Sequence, residues 1–360
     1  MKKKFYNFVK KKRLDIASIK HSFLYCMKQI NRRNFLKAGA TMAALGIFQN
    51  TSFAQDNSSQ KMSKVKFSGI MPALITPIDK NGKVIEDSVQ KLIDFQLNAG
   101  VDGFYVIGGT GEGVVLTIDQ RKAMVDATIK ANRGRGKVII HTGAINQNEV
   151  MEMTRYATKA GADGISSILP SIYFKYNMKE LCTYYKTMAD NTNLPILLYA
   201  NHTSNGVDVN KMINELLKID NIIGAKDTRA NYYEMWKLKQ LNGGNINVIN
   251  GPDESLLCGL VMGADGGIGT TYNIMPDIYV NLFKKFKAGD IQGAMEMQAK
   301  ASGIVKVLID WGEGSAIRTT KEAIELLGIN AGESALPALP FDKSKSKDFK
   351  KALVKAGLKL

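Results

Sequence analysis

The fold of this chain is decided by a short stretch beyond its midpoint, Ile222-Ile223-Gly224-Ala225-Lys226-Asp227-Thr228. Its first four residues are apolar or glycine, which is typical of a strand buried on both faces of a parallel sheet. A lysine follows where that strand should end. Burial disfavours the charged form of a lysine side chain, and a neutral amine can form a Schiff base with a ketone. Lys226 is therefore either a nucleophile or an ordinary lysine that reaches from the strand end into solvent.

On both sides of this stretch the chain alternates between short apolar runs and amphipathic patterns. Besides the lysine strand, the patterns predict strands at Phe67–Thr76, Phe104–Ile107, Lys137–His141, Gly164–Leu169, Pro195–Tyr199, Val248–Asn250 and Gly266–Gly269. They predict helices at Asp87–Ala99, Thr117–Ala131, Asn148–Ala160, Met178–Asn191, Asn210–Lys218, Tyr232–Leu241 and Ser255–Met262, with a further helix after Ile274.

This alternation predicts an α/β fold, a (β/α)8 TIM barrel. Eight strand–helix units in roughly 230 residues match the size of that architecture, and short connections favour a parallel sheet. A doubly wound open sheet is the alternative, but no glycine-rich dinucleotide fingerprint follows the first strand. We therefore predict a flexible lead-in at residues 55–66, a catalytic barrel at 67–290 and a C-terminal helical extension at 291–360.

Residues 1–54 have the pattern of an export signal. The segment Asn31-Arg32-Arg33-Asn34-Phe35-Leu36-Lys37 resembles a twin-arginine motif, and the apolar run that follows it, Ala38 to Phe48, is too short to span a bilayer. Ser52-Phe53-Ala54 supplies small residues for cleavage before Gln55. A disordered basic tail is the alternative, but it gives no reason for the apolar run. We expect a periplasmic mature protein, or a cytoplasmic one if the signal does not function.

Removal of this signal changes the charge of the chain. The formal net charge is +16, but residues 1–54 hold 12 of the 49 Lys and Arg side chains and one of the 33 Asp and Glu side chains. The remaining residues carry 37 basic and 32 acidic side chains, a net charge of +5. Most of the reason to expect a nucleic-acid or membrane-surface partner therefore disappears. We expect no nucleic-acid partner and no stable membrane insertion after cleavage.

The predicted strands end in polar groups, and catalytic groups of such barrels collect at the C-terminal ends of strands. These ends carry an amine, a phenol, an imidazole, a glycine-rich turn and a polar rim: Lys226, Tyr199, His141, Gly109-Thr110, Gly251, Asp253, Glu254 and Thr270. The turn at Gly108–Gly113 can direct backbone N–H groups toward an anion such as a carboxylate. His141 is equally compatible with a structural and a functional role, and Asp253-Glu254 is also typical of a helix N-terminus.

Several motifs, in this order along the chain, resemble the pyruvate-dependent class I aldolases of the dihydrodipicolinate synthase and N-acetylneuraminate lyase family. They are Gly108-Gly109-Thr110-Gly111-Glu112, Tyr199, Gly224-Ala225-Lys226 and Gly263-Ala264-Asp265-Gly266-Gly267-Ile268-Gly269. The resemblance extends from Phe67 to about Leu327, and the segment Asn250 to Met275 is similar to the lyase branch. The synthase branch has an arginine, for a second carboxylate, where this chain has Ser204.

The resemblance implies a role for each residue of the site. Lys226 would form the Schiff base with a 2-oxo acid, and Tyr199 would transfer the proton of the hydroxyl beside the cleaved bond. Gly109 and Thr110 would hold the carboxylate, while Glu112 would cap its own loop rather than react. The other substrate-binding positions are Gly251, Asp253, Glu254 and Thr270, which match positions that bind a polyhydroxy tail, together with Thr228 and Tyr173, of which Tyr173 matches a tyrosine near a subunit boundary.

The resemblance also implies a substrate class and an assembly. The substrate would be a 2-oxo sugar acid, no metal or organic cofactor would be needed, and the chain would form a homo-oligomer, a tetramer in the family. The activity would be cleavage of N-acetylneuraminate to pyruvate and N-acetylmannosamine. The alternatives are an aldolase or dehydratase for another 2-oxo sugar acid, and a non-catalytic 2-oxo acid binding protein. Gly109 keeps the last alternative open, because the family usually has a hydroxyl there that links Tyr199 to its proton relay.

The first prediction concerns export. We expect the mature protein in the periplasm with its N-terminus near Gln55, as measured by cell fractionation and N-terminal sequencing. Replacement of Arg32 and Arg33 by lysine should retain the protein in the cytoplasm, because the export pathway recognises the arginine pair. Unchanged export of the double variant would contradict the twin-arginine interpretation.

Overall fold

In the part of the chain described by the computed structural model, which comprises Lys64 and residues 66–170, 174–201 and 206–360, eight parallel strands form a barrel. The strands are β1 (Gly69–Pro72), β2 (Gly103–Val106), β3 (Lys137–His141), β4 (Gly164–Ile168), β5 (Ile196–Ala200), β6 (Ile222–Asp227), β7 (Asn247–Asn250) and β8 (Gly266–Gly269). From β2 to β8 each strand pairs with the next along the chain, and β8 pairs with β1. The barrel closes where Ala73 bridges Tyr105 and the Leu74 amide donates to the Tyr105 carbonyl at 2.9 Å.

Helices follow the strands and form the outer layer. They are α1 (Glu86–Asn98), α2 (Ile118–Asn132), α3 (Gln147–Ala160), α4 (Met178–Ala189), α5 (Val209–Leu216), α6 (Tyr232–Lys239), α7 (Leu256–Val261) and α8 (Pro276–Lys287). Their starts follow local chemistry: Thr117 and Gln120 form a capping box at α2, and Asn177 and Glu180 form another at α4. The predicted (β/α)8 barrel is therefore confirmed.

The first strand is shorter than predicted. The pattern predicted a strand over Phe67–Thr76, but the ladder with β8 covers only Gly69–Pro72. Ala73, Leu74 and Ile75 are buried although they lie outside the strand. A run of apolar residues indicates burial, and here the buried run is longer than the segment that pairs with β8.

The interior of the barrel is filled by apolar side chains from most of the strands. This inner layer consists of Phe67, Met71, Ala73, Tyr105, Ile139, Leu197, Ile223, Ile249 and Ile268, all at most 4% exposed. A larger cluster fills the space between the sheet and the helices. Because the interior is packed, as in other barrels of this type, a ligand can bind only at an end of the barrel.

A β-bulge in β6 turns Lys226 toward the barrel interior. Ile222 faces the helices, so strict alternation along the strand would place Lys226 on the same outer face. Instead the register with β5 shifts by one residue after Ile222, and the extra residue, Ile223, points inward. Beyond the bulge Lys226 is in register with Tyr199 of β5 and with Ile249 of β7, which belongs to the inner layer.

The residues beyond α8 continue as α9 (Ile291–Trp311), α10 (Ala316–Leu326) and α11 (Ser346–Lys355), in agreement with the predicted helical extension. At the other end, Lys64 belongs to the predicted flexible lead-in. This side chain is buried, and its ammonium donates to the carbonyls of Leu217, Ile219, Asp220 and Ile222 at 2.8–3.2 Å. The predicted signal peptide lies outside the described residues. Among the described helices, none has the length and apolar character needed to cross a membrane.

The second prediction concerns Gly224, the residue after the bulge. A Cβ at this position would lie 1.8 Å from the backbone oxygen of Asn247 on the neighbouring strand. Gly224→Ala should therefore lower the free energy of unfolding by about 1–3 kcal/mol or more, measured by urea denaturation. Gly303→Ala in α9 is the matched control, because a Cβ there meets no described atom within 4 Å. Equal stability of the Gly224 variant and the wild type would contradict the steric requirement.

Candidate active site

The amine of Lys226 and the phenol of Tyr199 lie side by side at the C-terminal end of the barrel. Lys226 is 6% exposed, and its Nζ lies 4.0 Å from the ring centroid of Tyr199 and 4.9 Å from that of Tyr105. The rings of Tyr105, His141 and Tyr199 lie 6.1–6.4 Å apart around it. Cation–π attraction thus contributes to holding the ammonium inside the barrel.

Tyr199 has the electrostatics of a proton acceptor. The positive charge of Lys226 lowers the pKa of Tyr199, against the effect of burial. Tyr105 contrasts with it, because burial raises its pKa well above the usual value and its hydroxyl donates to Ser166 at 3.1 Å. Two phenols beside the same amine therefore have different properties, and Tyr199 is the one suited to acid–base chemistry.

The glycine-rich loop after β2 carries an exposed backbone at Gly109 and a buried hydroxyl at Thr110. Thr110 Oγ1 lies 2.7 Å from Thr270 Oγ1, so the loops after β2 and β8 meet at this end of the barrel. A Cβ built at Gly109 meets none of the described atoms within 4 Å. Packing against those atoms therefore does not require glycine at this position, and a serine side chain would fit.

Asp253, at the start of a 3₁₀ helix after β7, is anchored to the loop that follows β8. Its Oδ2 accepts hydrogen bonds from the amide and the hydroxyl of Thr271, both at 2.6 Å. Burial raises the pKa of Asp253 to about 6, although these hydrogen bonds oppose the shift. Glu254, in contrast, is exposed. The two acids that were predicted to act together therefore have different surroundings.

Thr228 and Gly251 pack against each other at the ends of β6 and β7. A Cβ at Gly251 would lie 2.6 Å from Thr228 Oγ1, so glycine makes room for that hydroxyl. The Gly251 amide donates to the carbonyl of Asp227 at 2.8 Å. Of the remaining predicted substrate-binding positions, Tyr173 lies outside the described residues.

His141 has a structural role, which was one of the two roles that its sequence context left open. Its Nδ1 lies 3.2 Å from the carbonyl oxygen of Ile107, and its Nε2 accepts a hydrogen bond from the Ile168 amide at 3.1 Å. The ring is therefore neutral, with its proton on Nδ1. Burial and the nearby charges of Arg121 and Lys226 lower the pKa of His141 to about 3. Both ring nitrogens bind backbone, so His141 fixes the geometry between β2, β3 and β4.

Two features of the site were not predicted from the sequence. Tyr105 forms the floor below Lys226, although an alternating pattern along β2 could have indicated its inward orientation. The expectation that Glu112 caps its own loop is wrong. Its Oε1 accepts a hydrogen bond from the amide of Ala335 at 2.9 Å, and its Oε2 lies 2.7 Å from Lys321 Nζ. Both partners are distant in sequence, which is why local pattern did not reveal them.

Comparison with curated proteins gives relatives that match this chain over most of their length. The N-acetylneuraminate lyase of Rhizobium meliloti (strain 1021) is 33% identical over 274 residues, which cover 76% of this chain and 90% of the relative. That of Escherichia coli (strain SMS-3-5 / SECEC) is 30% identical over 263 residues, covering 72% and 88%.

Solved structures agree with these relatives. Proteus mirabilis N-acetylneuraminate lyase superposes with a TM-score of 0.77 at 28% identity, covering 82% of this chain and 100% of the other. YagE, a prophage protein of E. coli K12 solved in complex with pyruvate, gives a TM-score of 0.76 at 31% identity and covers 81% and 99%. The model of the dihydrodipicolinate synthetase family matches residues 66–356. This chain therefore belongs to the dihydrodipicolinate synthetase family.

Proposed function

We propose that this pyruvate-dependent carbon–carbon lyase cleaves N-acetylneuraminate to pyruvate and N-acetylmannosamine through a Schiff base on Lys226. The observation that carries the proposal is the buried Lys226 amine, 4.0 Å from the ring centroid of a phenol, at the end of the barrel where such enzymes bind substrates. The curated relatives described above are N-acetylneuraminate lyases, and a similar structure, at 26% identity and a TM-score of 0.76, is of a catalytic lysine mutant of the Ruminococcus gnavus sialic acid aldolase.

The first step is formation of the imine. Tyr199, whose pKa the charge of Lys226 lowers, accepts the proton that the ammonium must lose. The amine lone pair then forms a bond to the ketone carbon of the open-chain 2-oxo acid. A second proton of the nitrogen and the proton held by Tyr199 pass to the ketone oxygen, which leaves as water, so that a protonated imine forms and Tyr199 is again a base. Backbone N–H groups of the loop at Gly109 and the Thr110 hydroxyl hold the carboxylate of the substrate in this step.

The second step breaks the carbon–carbon bond. Tyr199, as general base, accepts the proton of the hydroxyl beside that bond, and the hydroxyl carbon becomes an aldehyde. The electron pair of the broken bond moves into the protonated imine and gives an enamine on Lys226. Protonation of the enamine carbon and hydrolysis of the imine release pyruvate and restore the amine. No metal or organic cofactor is needed, because the protonated imine is the electron sink.

A second candidate is an aldolase or dehydratase that uses another 2-oxo sugar acid. Two observations favour it: Gly109 offers no hydroxyl to the proton relay, and one carboxylate oxygen of Asp253 is already bound by Thr271. The same Gly109 is the argument for a non-catalytic 2-oxo acid binding protein, but a binder has no need for both Lys226 and Tyr199. Export through the twin-arginine signal and assembly into a homotetramer complete the proposal and depend on the sequence and on family resemblance.

The third prediction separates a covalent from an electrostatic role of Lys226. Lys226→Arg keeps the positive charge but cannot form the imine, so borohydride reduction with pyruvate should give no mass adduct and cleavage should fall by several orders of magnitude. Tyr199→Phe is the matched comparison: the adduct should still form, while turnover falls by about 10²–10⁴, the usual contribution of a positioned acid–base group. An adduct that peptide mapping assigns to a different lysine would refute the mechanism.

The fourth prediction concerns the sugar tail. Asp253→Ala should weaken cleavage of N-acetylneuraminate by about 10–100-fold, as expected for a lost hydrogen bond to a charged group, with imine formation from pyruvate nearly unchanged. Asp253→Asn is the control, because it keeps an oxygen that can accept from Thr271 and should lose less. Parallel loss of both reactions in the alanine variant would show that Asp253 only maintains the structure of the two loops.

A further inference from the structure

A buried ion pair connects the glycine-rich loop after β2 with helix α10. Glu112 Oε2 lies 2.7 Å from Lys321 Nζ, and the two side chains are 7% and 5% exposed. Neither residue has a part in the mechanism above. Removal of one partner from a buried pair leaves an uncompensated charge and is strongly destabilising, so a pair like this one fixes the position of what it connects.

Both partners are also fixed by the backbone around them. Lys321 Nζ donates to the carbonyls of Thr76 at 3.1 Å and Glu333 at 2.5 Å, and Glu112 Oε1 accepts from the Ala335 amide at 2.9 Å. Thr76 in turn donates from its hydroxyl to the carbonyl of Gly111 at 2.7 Å. The loop is therefore held at two adjacent residues, Gly111 and Glu112, by groups that converge on one ammonium.

Backbone hydrogen bonds connect Glu112 with the proposed carboxylate site at Gly109 and Thr110. The Glu112 amide donates to the carbonyl of Gly109 at 3.0 Å, and the Gly113 amide donates to the carbonyl of Gly108 at 3.0 Å. Glu112 itself has φ +56°, a left-handed conformation that a non-glycine residue keeps only when its surroundings impose it. The direction of the Gly109 and Thr110 amides thus depends on where Glu112 is held.

The charges of the pair matter as well as its geometry. Without Lys321, an ionised Glu112 would leave a negative charge buried three residues from Gly109, where the carboxylate of the substrate has to bind. Like charges in a buried environment repel strongly, because the surroundings screen them less than water does. Lys321 therefore neutralises a charge that would otherwise act against an anionic substrate.

From these contacts we infer that Glu112 and Lys321 are positioning residues for the carboxylate subsite, and that they set the preference of the enzyme for 2-oxo acids over uncharged ketones. The inference rests on the proposed function, since it assumes that the Gly109–Thr110 loop receives the carboxylate. It assigns to the C-terminal extension a part in substrate selection. Neither residue contacts the reacting atoms.

The test compares imine formation from pyruvate with that from pyruvamide, which has the same ketone but no negative charge. Borohydride trapping followed by mass spectrometry gives the concentration dependence for each compound. In Lys321→Met, trapping of pyruvate should weaken by about 10–100-fold, because the buried Glu112 carboxylate then has no cation beside it and repels the carboxylate of pyruvate. Trapping of pyruvamide should change by less than about threefold, because this repulsion does not act on an uncharged ketone.

Two further variants complete the design. Glu112→Gln keeps the volume of the side chain and an acceptor for the Ala335 amide but removes the negative charge that neutralises Lys321. It should therefore shift the pyruvate-to-pyruvamide preference in the opposite direction, toward pyruvate, and it also tests the inference if Lys321→Met does not fold. Lys343→Met is the matched control. Lys343 pairs with Glu322, the residue that follows Lys321 in α10, but it is 65% exposed, and its replacement should leave the preference unchanged.

The outcomes separate the two proposals. An unchanged pyruvate-to-pyruvamide preference in the folded Lys321 and Glu112 variants would overturn the inference, while wild-type trapping at Lys226 still supports the Schiff-base mechanism. A wild type that traps neither compound would overturn the proposed function itself, and with it any role of the pair in selecting a 2-oxo acid.

Discussion

The position of Lys226 depends on the close approach of β6 and β7 at Gly224. The carbonyl of Asn247 occupies the space where a Cβ would lie, at 1.8 Å, so the strands can pair there only if this residue has no side chain. The adjacent bulge then decides which face of the sheet the amine occupies. With regular alternation, Lys226 would point into the apolar layer between sheet and helices, where an ammonium has little to compensate its desolvation. One irregular residue therefore converts an unfavourable lysine into the central group of the site.

Inside the barrel the charge is compensated only in part. A cation–π contact contributes about 0.5–2 kcal/mol, whereas the effective cost of burying an ion is several kcal/mol. The positive charge of Lys226 also lowers the pKa of Tyr199. Ionisation of this phenol would supply a negative charge beside the ammonium. An anionic substrate would complete the compensation. The electrostatics around Lys226 would thus favour a 2-oxo acid over a neutral ketone.

The barrel was predictable from sequence because each strand is a short apolar run and each helix has its own period and caps. Features that depend on pairing between distant segments were not predictable from the sequence. The ladder of the first strand ended at Pro72 although apolar residues continue beyond it, since burial and pairing are different properties. The inward orientation of Lys226 depends on the register of β6 against β5. The roles of His141 and Glu112 depended on amides and an ammonium contributed by other parts of the chain.

His141 and Glu112 both stabilise the loop after β2, although neither takes part in the proposed chemistry. The loop that they support contains two non-glycine residues with positive φ, Ile107 at +52° and Glu112 at +56°. Each such conformation costs on the order of 1–3 kcal/mol, and the cost is higher for a β-branched residue such as Ile107. The carbonyl of Ile107 is held by His141 from inside the barrel, and the carboxylate of Glu112 is held by Lys321 from the C-terminal helices. A strained loop with an anchor at each end keeps one shape without substrate, so its amides need no reorganisation when a carboxylate binds.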